Sequence, residues 1–596
     1  MRDFLTLMVI GSIDVTGRGL DQPLPGREFA RPFSYALDAL VAHAKKQDAH
    51  VRVLAGAASV DTTTYGVEAL AASEAVRRGL PLQLLAPGLP APLTDAQCHA
   101  ERQIWLGATS DEPEYDRAID LCGEIGLAVS DLVLWIWPGL DLAKDDCQVH
   151  VVRAAALAMK PVVWIGEGGN LRVLDMRRLA SARRNLIASG EPSAQWISDC
   201  FSAPLKEPDL LSWLQKSLVA TDSARGPDLS ATSSSGSSGA RLHTVLLSLV
   251  QGKPLRAFRA LMAGQIEVYR GPTWPDAEND LIAPTPILDK RFDSSDLEAS
   301  AAAGKYRSAV WISSAASTMA VFAAVAGAIS LWPGRGGPLW AVLEVILVVL
   351  IVGLLWRVKQ QEWHARWIAT RFLAEQLRYS RMGLPLMAFG RSVFEPSIDV
   401  MVDKLGQPEL AVTSPELRSL QRCLAATGLP GLASGGVIVA ASEHAVARQR
   451  GYVLGVIDDQ IAYHDKVHAD QHAAGHVLHT LTVVLFCLTG IAIGGHFFLH
   501  ADWLLIFTAF FPALAAGVHG LATSLEISRL AEQSGSTASA LREIADAIRM
   551  TERSADRLWG RWLQLRHLAR AAAELMSEES GQWQQLVKHQ KPKLPA

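Results

Sequence analysis

Cysteine is scarce, with six in 596 residues, and none stands in a C-x-x-C pair. Cys98, Cys122, Cys147, Cys200, Cys423 and Cys487 are scattered, which argues against a structural zinc site and a disulfide framework and fits a reducing compartment. Charge of one sign is missing too: 56 Lys+Arg stand against 60 Asp+Glu, a formal net charge of -4. Without a basic field, nucleic acid is not expected as a partner. The N-terminus MRDFLTLMVIGS carries an apolar run of only about seven residues, too short for a signal-peptide core with its cleavage site. It reads instead as a buried strand. The length of 596 residues exceeds one domain and suggests about three or four.

What the second half has is long charge-poor runs. No Asp, Glu, Lys or Arg falls between Arg307 and Arg335, and Pro338 to Trp356 contains one acid, Glu344. Val477 to His500 and Trp503 to Leu525 follow after a polar stretch. Each is near the roughly 20 helical residues needed to cross a bilayer, so four spans in two hairpins are expected. Lys305, Arg307, Arg357, Lys359, Arg366, Arg371 and Arg529 flank one side, while the hairpin tips carry only Arg335. By the positive-inside rule both termini and the middle segment are expected in the cytoplasm, with Trp332, Trp340, Trp356 and Trp503 at the interfaces. Leu-Ala-Glu-Gln occurs after the second span (373–376) and after the fourth (530–533), which hints at a duplicated unit.

The first half alternates short apolar runs with amphipathic stretches. Strands are expected at Leu5–Ile10, Val51–Leu54, Leu82–Leu85, Leu132–Ile136 and Val162–Ile165, with helices around 33–46, 67–78, 115–127 and 149–159. That pattern predicts an α/β Rossmann-like parallel sheet, joined to an all-α four-span membrane domain with cytoplasmic helices. Ligands of such sheets bind beyond the carboxyl ends of the strands. GSIDVTGRG (11–19), GAASVD (56–61) and WPGLD (137–141) meet there, giving Gly11, Ser12, Arg18, Gly56, Ala57, Asp61, Pro138 and Gly139 as candidate ligand-binding residues. Small residues at strand ends let a phosphate or sugar approach the backbone, and Arg18 offers a fork for a phosphate or carboxylate. Each has a structural alternative: Gly56 and Ala57 small for helix packing, Asp61 a helix cap, Arg18 a solvated side chain. Asp131 reads as the end of a helix-to-strand loop.

The order strand-Gly-Ser, strand-AGAASVD, a helix with Glu68 and Glu74, SDLVLWIWPG, a helix and KPVVWIG resembles the SLOG superfamily over roughly residues 1–200. That superfamily includes lonely-guy phosphoribohydrolases, the DNA-processing protein A family, the N-terminal domains of melastatin-type TRP channels, and ligand sensors of bacterial antiviral systems. The fusion to membrane spans resembles SLOG-transmembrane effectors of nucleotide-second-messenger defence. The enzymes carry P-G-G-x-G-T-x-x-E, whereas here Pro138-Gly139 runs into LDLAKDDCQVHVV, without the phosphate loop or its glutamate. Asp145 or Asp146 offers a replacement for the acid, but nothing replaces the phosphate loop. The resemblance therefore implies a retained pocket without cleavage chemistry: no enzyme, no catalytic residue and no cofactor.

These signals divide the chain into a ligand-sensing domain (1–205), a Ser/Gly-rich flexible linker (206–241), a cytoplasmic helical linker domain (242–305), a first transmembrane hairpin (306–358), a cytoplasmic helical domain (359–476), a second hairpin (477–525) and a helical tail (526–596). His464, His468, His472, His476 and His479 recur at helical spacing, and either line a helix interface or offer a face for metal or protons; no metal site is assigned. The expected function is a membrane effector gated by a nucleotide-derived ligand (ADP-ribose or cyclic-nucleotide type), in a bacterial inner membrane and active in antiviral defence. The alternative is a membrane-anchored nucleotide or NAD-derivative N-glycosidic hydrolase. The expected partners are the ligand, the lipid bilayer and further copies of the chain, a tetramer being the first guess. Glu344 is the candidate pore residue, with a hydrogen bond to a neighbouring helix as its structural alternative.

Overall fold

The computed structural model describes residues 3–11, 26–56, 67–91, 93–109, 112–137, 147–179, 194–218, 246, 285–328, 336–394, 400–402, 408–410, 415–431, 437–501, 503–553 and 557–589. Ten strands occur among them: β1 (Asp3–Gly11), β2 (Ala49–Gly56), β3 (Leu82–Ala86), β4 (Arg102–Trp105), β5 (Leu132–Ile136), β6 (Val162–Ile165), β7 (Leu171–Val173), β8 (Val400–Val402), β9 (Pro408–Leu410) and β10 (Val437–Val439). Eight form one sheet in the order β10-β4-β3-β2-β1-β5-β6-β7, parallel except for the β6–β7 pair. All five expected strands fall inside β1, β2, β3, β5 and β6, because β-branched and aliphatic runs buried on both faces favour parallel pairing.

Alternation along β1 sends Leu5, Leu7 and Val9 to one face and Thr6 and Met8 to the other. The first face is covered by α1 (Gly26–Lys46) and α2 (Val67–Arg77). On the second face, α3 (Glu112–Ala128) and α4 (Cys147–Leu157) share one core with helices from the far end of the chain. After the short α5 (Ala194–Asp199), α6 (Glu207–Ser217) buries Leu210 and Leu214 against α1, and His43 Nε2 lies 3.3 Å from the Leu218 carbonyl. The first part of the stretch read as flexible linker is thus folded onto the α/β domain. Its apolar face, not its Ser/Gly content, decides the structure there.

Eight further helices follow: α7 (Pro286–Ala328), α8 (Gly336–Gln360), α9 (Trp363–Gly383), α10 (Pro415–Thr427), α11 (Glu443–Leu499), α12 (Leu504–Ser524), α13 (Ile527–Met550) and α14 (Leu558–His589). Four helical runs, within Pro286–Ala328, Pro338–Leu386, Glu443–Leu499 and Leu504–Met550, are long and apolar enough to cross a membrane. The expected boundary between a cytoplasmic linker and the first span falls inside the unbroken α7. Each pair of spans is the tip of a longer hairpin: α7 runs back along α8 and α9, and α11 along α12 and α13. Both returning strokes break at a glutamate in the left-handed region, Glu362 (φ 48°) and Glu526 (φ 51°). The helices that carry the four candidate spans pack in the order α8-α7-α12-α11. At the α7–α12 contact a Cβ on Gly517 would stand 2.8 Å from Thr318 Oγ1, so small residues set that close approach.

The segment between spans two and three is not wholly helical, because it supplies β8, β9 and β10. β10 pairs in parallel with β4 (Val437 with Gln103, Val439 with Trp105), and Ala440 N continues the ladder to Trp105 O at 2.8 Å. Nearby, the carbonyl end of α10 is received by the sheet. Thr6 Oγ1 donates to Ala425 O (2.6 Å), Arg52 Nη1 to Ala426 O (3.1 Å) and Arg102 Nη1 to Thr427 O (3.3 Å). Gly428, at φ +71°, ends the helix, and a Cβ there would meet Arg52 Nη1 at 2.6 Å and Gln83 Oε1 at 2.8 Å. Gly428→Ala is therefore expected to cost about 2 kcal/mol or more through backbone strain and a displaced buried arginine. Denaturation of the detergent-solubilised protein, compared with the parent, checks this.

Candidate functional site

In the sheet, the chain moves outward from β1 to β4 and then returns through α3 to β5 on the other side of β1. This reversal places the ligand crevice of a doubly wound sheet at the carboxyl ends of the central strands. A cavity of about 130 Å³ opens there, at the ends of β1, β2 and β3. Met8, Leu54 and Leu85 come from the strands, Ile119 and Cys122 from α3, and Val151 from α4.

One carboxyl reaches this apolar space. Glu68, in the first turn of α2, is half-buried, and burial raises its pKa, opposed in part by its own backbone N–H. Among the described residues no cation pairs with it. Gly56 also lines the cavity, and a Cβ at that position would stand 3.1 Å from Glu68 Cγ. Its small size serves both readings offered by the sequence, since the helix side chain crosses it and the cavity borders it. Burial also pushes the Cys122 thiol up, which keeps it neutral.

Of the sequence candidates, Gly11 ends β1 opposite Ile136 of β5, and Gly56 ends β2. Ser12, Arg18, Ala57, Asp61, Pro138 and Gly139 lie outside the described residues. Asp131 sits at the opposite ends of the strands, where its Oδ2 accepts from Thr6 N (2.9 Å) and Arg422 Nη1 (3.1 Å). Glu344 is half-buried on the side of α8 that also carries Trp340, Leu347 and Ile351; Trp340 packs on Phe322 of α7. Its carboxylate makes no hydrogen bond or ion pair with a described residue. Sequence reading missed Glu68 as a site residue, although an acid in the first turn of the helix after a small-residue strand end was the available signal. Ile119, Cys122 and Val151 carried no such signal, being ordinary core letters on amphipathic helices.

A second polar cluster lies below the spans. Glu375 of α9 is buried and ion-paired with Arg371 and with Arg378 (3.1 Å), while Arg371 also reaches Asp296 of α7 at 3.1 Å. Burial pushes the Glu375 carboxyl up, but the two arginines outweigh it and hold the group below its usual range. His464 of α11 packs beside them and is driven down to about 4 by burial, against the pull of Glu375 and Asp465. His468 Nδ1 meets Ala531 O of α13 at 2.7 Å, which makes it part of a helix interface. Among the described residues no group of three His, Cys, Asp or Glu is placed to hold a metal ion.

No family model matches the chain, and neither a curated protein nor a solved structure matches it.

Because the folded value of His464 near 4 lies below its ordinary 6.5, the unfolded chain takes up the proton first as pH falls. Its contribution is therefore full above pH 6.5 and is lost between 6.5 and about 4, on the order of 3 kcal/mol. His464→Gln is expected to flatten that limb, as read from denaturation midpoints between pH 7 and 4.

Proposed function

We propose that the chain is a membrane effector gated by a nucleotide-derived signal of the ADP-ribose or cyclic-nucleotide type. In this reading the α/β domain binds the ligand at the carboxyl ends of its strands. The spans then open a pore in, or disrupt, a bacterial inner membrane in antiviral defence, without enzymatic turnover. The observation that carries it is continuity. β10 lies against β4 in the sheet, and after Ala440 and Ala441 the Ser442 hydroxyl caps α11 by accepting from Ala445 N (3.3 Å). That helix continues into the third candidate span. Displacement of the sheet edge is therefore handed to a span without an intervening tether.

The spans lie side by side in the order α8-α7-α12-α11. A row of this kind encloses no channel by itself, which favours a homo-oligomer, with four copies the first expectation. Glu344, without a partner among the described residues, is the acid such an assembly would turn toward water or a neighbouring copy. A membrane-anchored N-glycosidic hydrolase is the second reading. It is favoured by Glu68, since a carboxyl with a raised pKa in an apolar cavity suits acid catalysis.

Purified protein in liposomes, given ADP-ribose or a cyclic nucleotide, separates the two. Cation flux without product is the expected outcome, whereas turnover without flux removes the effector reading. Gly56→Leu, which drives a side chain into Glu68 and the cavity mouth, is expected to abolish calorimetric binding of those ligands in a folded protein. Glu344→Gln is expected to weaken triggered cation flux while leaving ligand affinity and oligomer mass unchanged. Reporters at 335 or 501 are expected on the periplasmic side and those at 230, 420 and 590 in the cytoplasm; a cytoplasmic signal at 335 overturns the four-span topology.

A further inference from the structure

The cavity at the ends of β1 to β3 has the wrong chemistry for a phosphate. We propose that it receives the base of the signal: one flat nitrogen heterocycle whose exocyclic amine donates to the Glu68 carboxyl, adenine being the type. This rests on the sensor reading above and specifies which part of the ligand enters the chain.

Size is the first argument. The cavity measures about 130 Å³. An apolar cavity of ~150 Å³ holds a single benzene ring, whereas sites that enclose whole ligands run to about 300–1,000 Å³. One planar ring system seated at the mouth matches the space, and the sugar and phosphates stay outside it.

Lining is the second. Met8, Leu54, Leu85, Ile119 and Val151 present hydrocarbon, and the Cys122 thiol is kept neutral by burial. No Lys, Arg or His is among the described lining residues. A phosphate placed here would meet hydrocarbon and one carboxyl, with no counter-charge among the described lining residues. The apolar faces of a neutral aromatic ring gain by leaving water for such walls, while its ring nitrogens keep their water at the mouth.

The third argument is the one carboxyl. Glu68 is the one ionisable side chain besides Cys122 among the described lining residues, and no described cation pairs with it. Its own backbone N–H meets part of its accepting capacity, and an amine on the entering ring supplies a further donor to a carboxyl whose charge burial disfavours. Recognition of this kind discriminates sharply, because an analogue with a carbonyl oxygen in place of the amine sets oxygen against oxygen. Gly56 is part of the device: a larger residue would push the Glu68 stem out of its place over the strand end.

The test is calorimetric titration of the full-length, detergent-solubilised protein at pH 8 with adenosine, inosine, ribose 5-phosphate and ADP-ribose. Adenosine is expected to bind at least ~10-fold more tightly than inosine, and ribose 5-phosphate is expected not to displace it. Glu68→Gln keeps the shape of the side chain but both donates and accepts, so it is expected to bring adenosine and inosine within about threefold of each other. Equal affinity for the two nucleosides in the parent protein, or an undiminished preference in Glu68→Gln, overturns the base assignment. If ADP-ribose still binds in that case, the sensor reading stands and only the placement of the base falls. If neither ADP-ribose nor adenosine binds, both fall together.

Discussion

The carbonyl end of α10 is held by arginines that the sheet has buried, and the arrangement of the whole chain follows from that contact. Arg52 is only 4% exposed, and burial lowers its pKa to about 10, with Glu101 pulling the other way, so it remains a cation at neutral pH. A buried charge costs several kcal/mol unless its donors are met. Here Nη1 donates to the Ala426 carbonyl and to Thr6, Nε lies 3.3 Å from Glu101 as an ion pair, and the guanidinium lies 4.2 Å from the centre of the Phe4 ring. The helix gains in turn, because its last carbonyls have no partners of their own and carry the negative end of the dipole. Gln83 completes the exchange by accepting from Leu429 N (2.9 Å) and donating to Glu101 (2.9 Å). Moving α10 away would strand cation and carbonyl together, and that penalty fixes the register of α10 on the sheet.

A second tie reaches the cavity from the other end of the chain. Glu124 of α3 accepts from Arg566 (3.2 Å) and Arg570 (2.7 Å) of α14, and Arg566 also donates to Met387 O at 3.2 Å. α3 is therefore a wall of the cavity on one side and a docking surface for the last helix on the other. α14 packs in turn on α9, which carries the buried Glu375 cluster below the spans. Spatial continuity of this sort does not by itself establish coupling. It does mean that cavity, α3, α14 and the base of the spans belong to one packed core, in which sub-ångström shifts are not absorbed by slack.

Much of this was legible from the sequence, and what was not has physical causes. Strands β1, β2, β3, β5 and β6 announce themselves through short runs rich in β-branched and aliphatic residues, and the spans through the scarcity of charge. β4 begins with two polar residues, Arg102, which donates to the Thr427 carbonyl at the end of α10, and Gln103, so its sequence does not read as a buried strand. β10 is three residues long and follows Gly435 and Gly436; its pairing partner lies more than 300 residues away, beyond any local signal. At the site, the strand-end glycine was legible because close approach leaves a compositional mark. Glu68 was not, because an acid in a first helical turn has an equally good explanation in the helix dipole.

The repeated Leu-Ala-Glu-Gln shows how little a short match fixes. Both copies lie on the returning stroke of a hairpin, after a left-handed glutamate, yet Glu375 is buried among arginines while Glu532 is exposed. The difference comes from neighbours. α9 is enclosed by α7, α10 and α14, and a carboxylate in that space must be paired with cations to be tolerated. α13 packs mainly along α11, and at the matching place it is the backbone that does the binding, with Ala531 O meeting His468. The same four letters thus form an ion-paired node in one hairpin and a plain helix contact in the other. The node sits where α9 meets α7, α10 and α14, and its Arg371 ties α9 to Asp296 of α7.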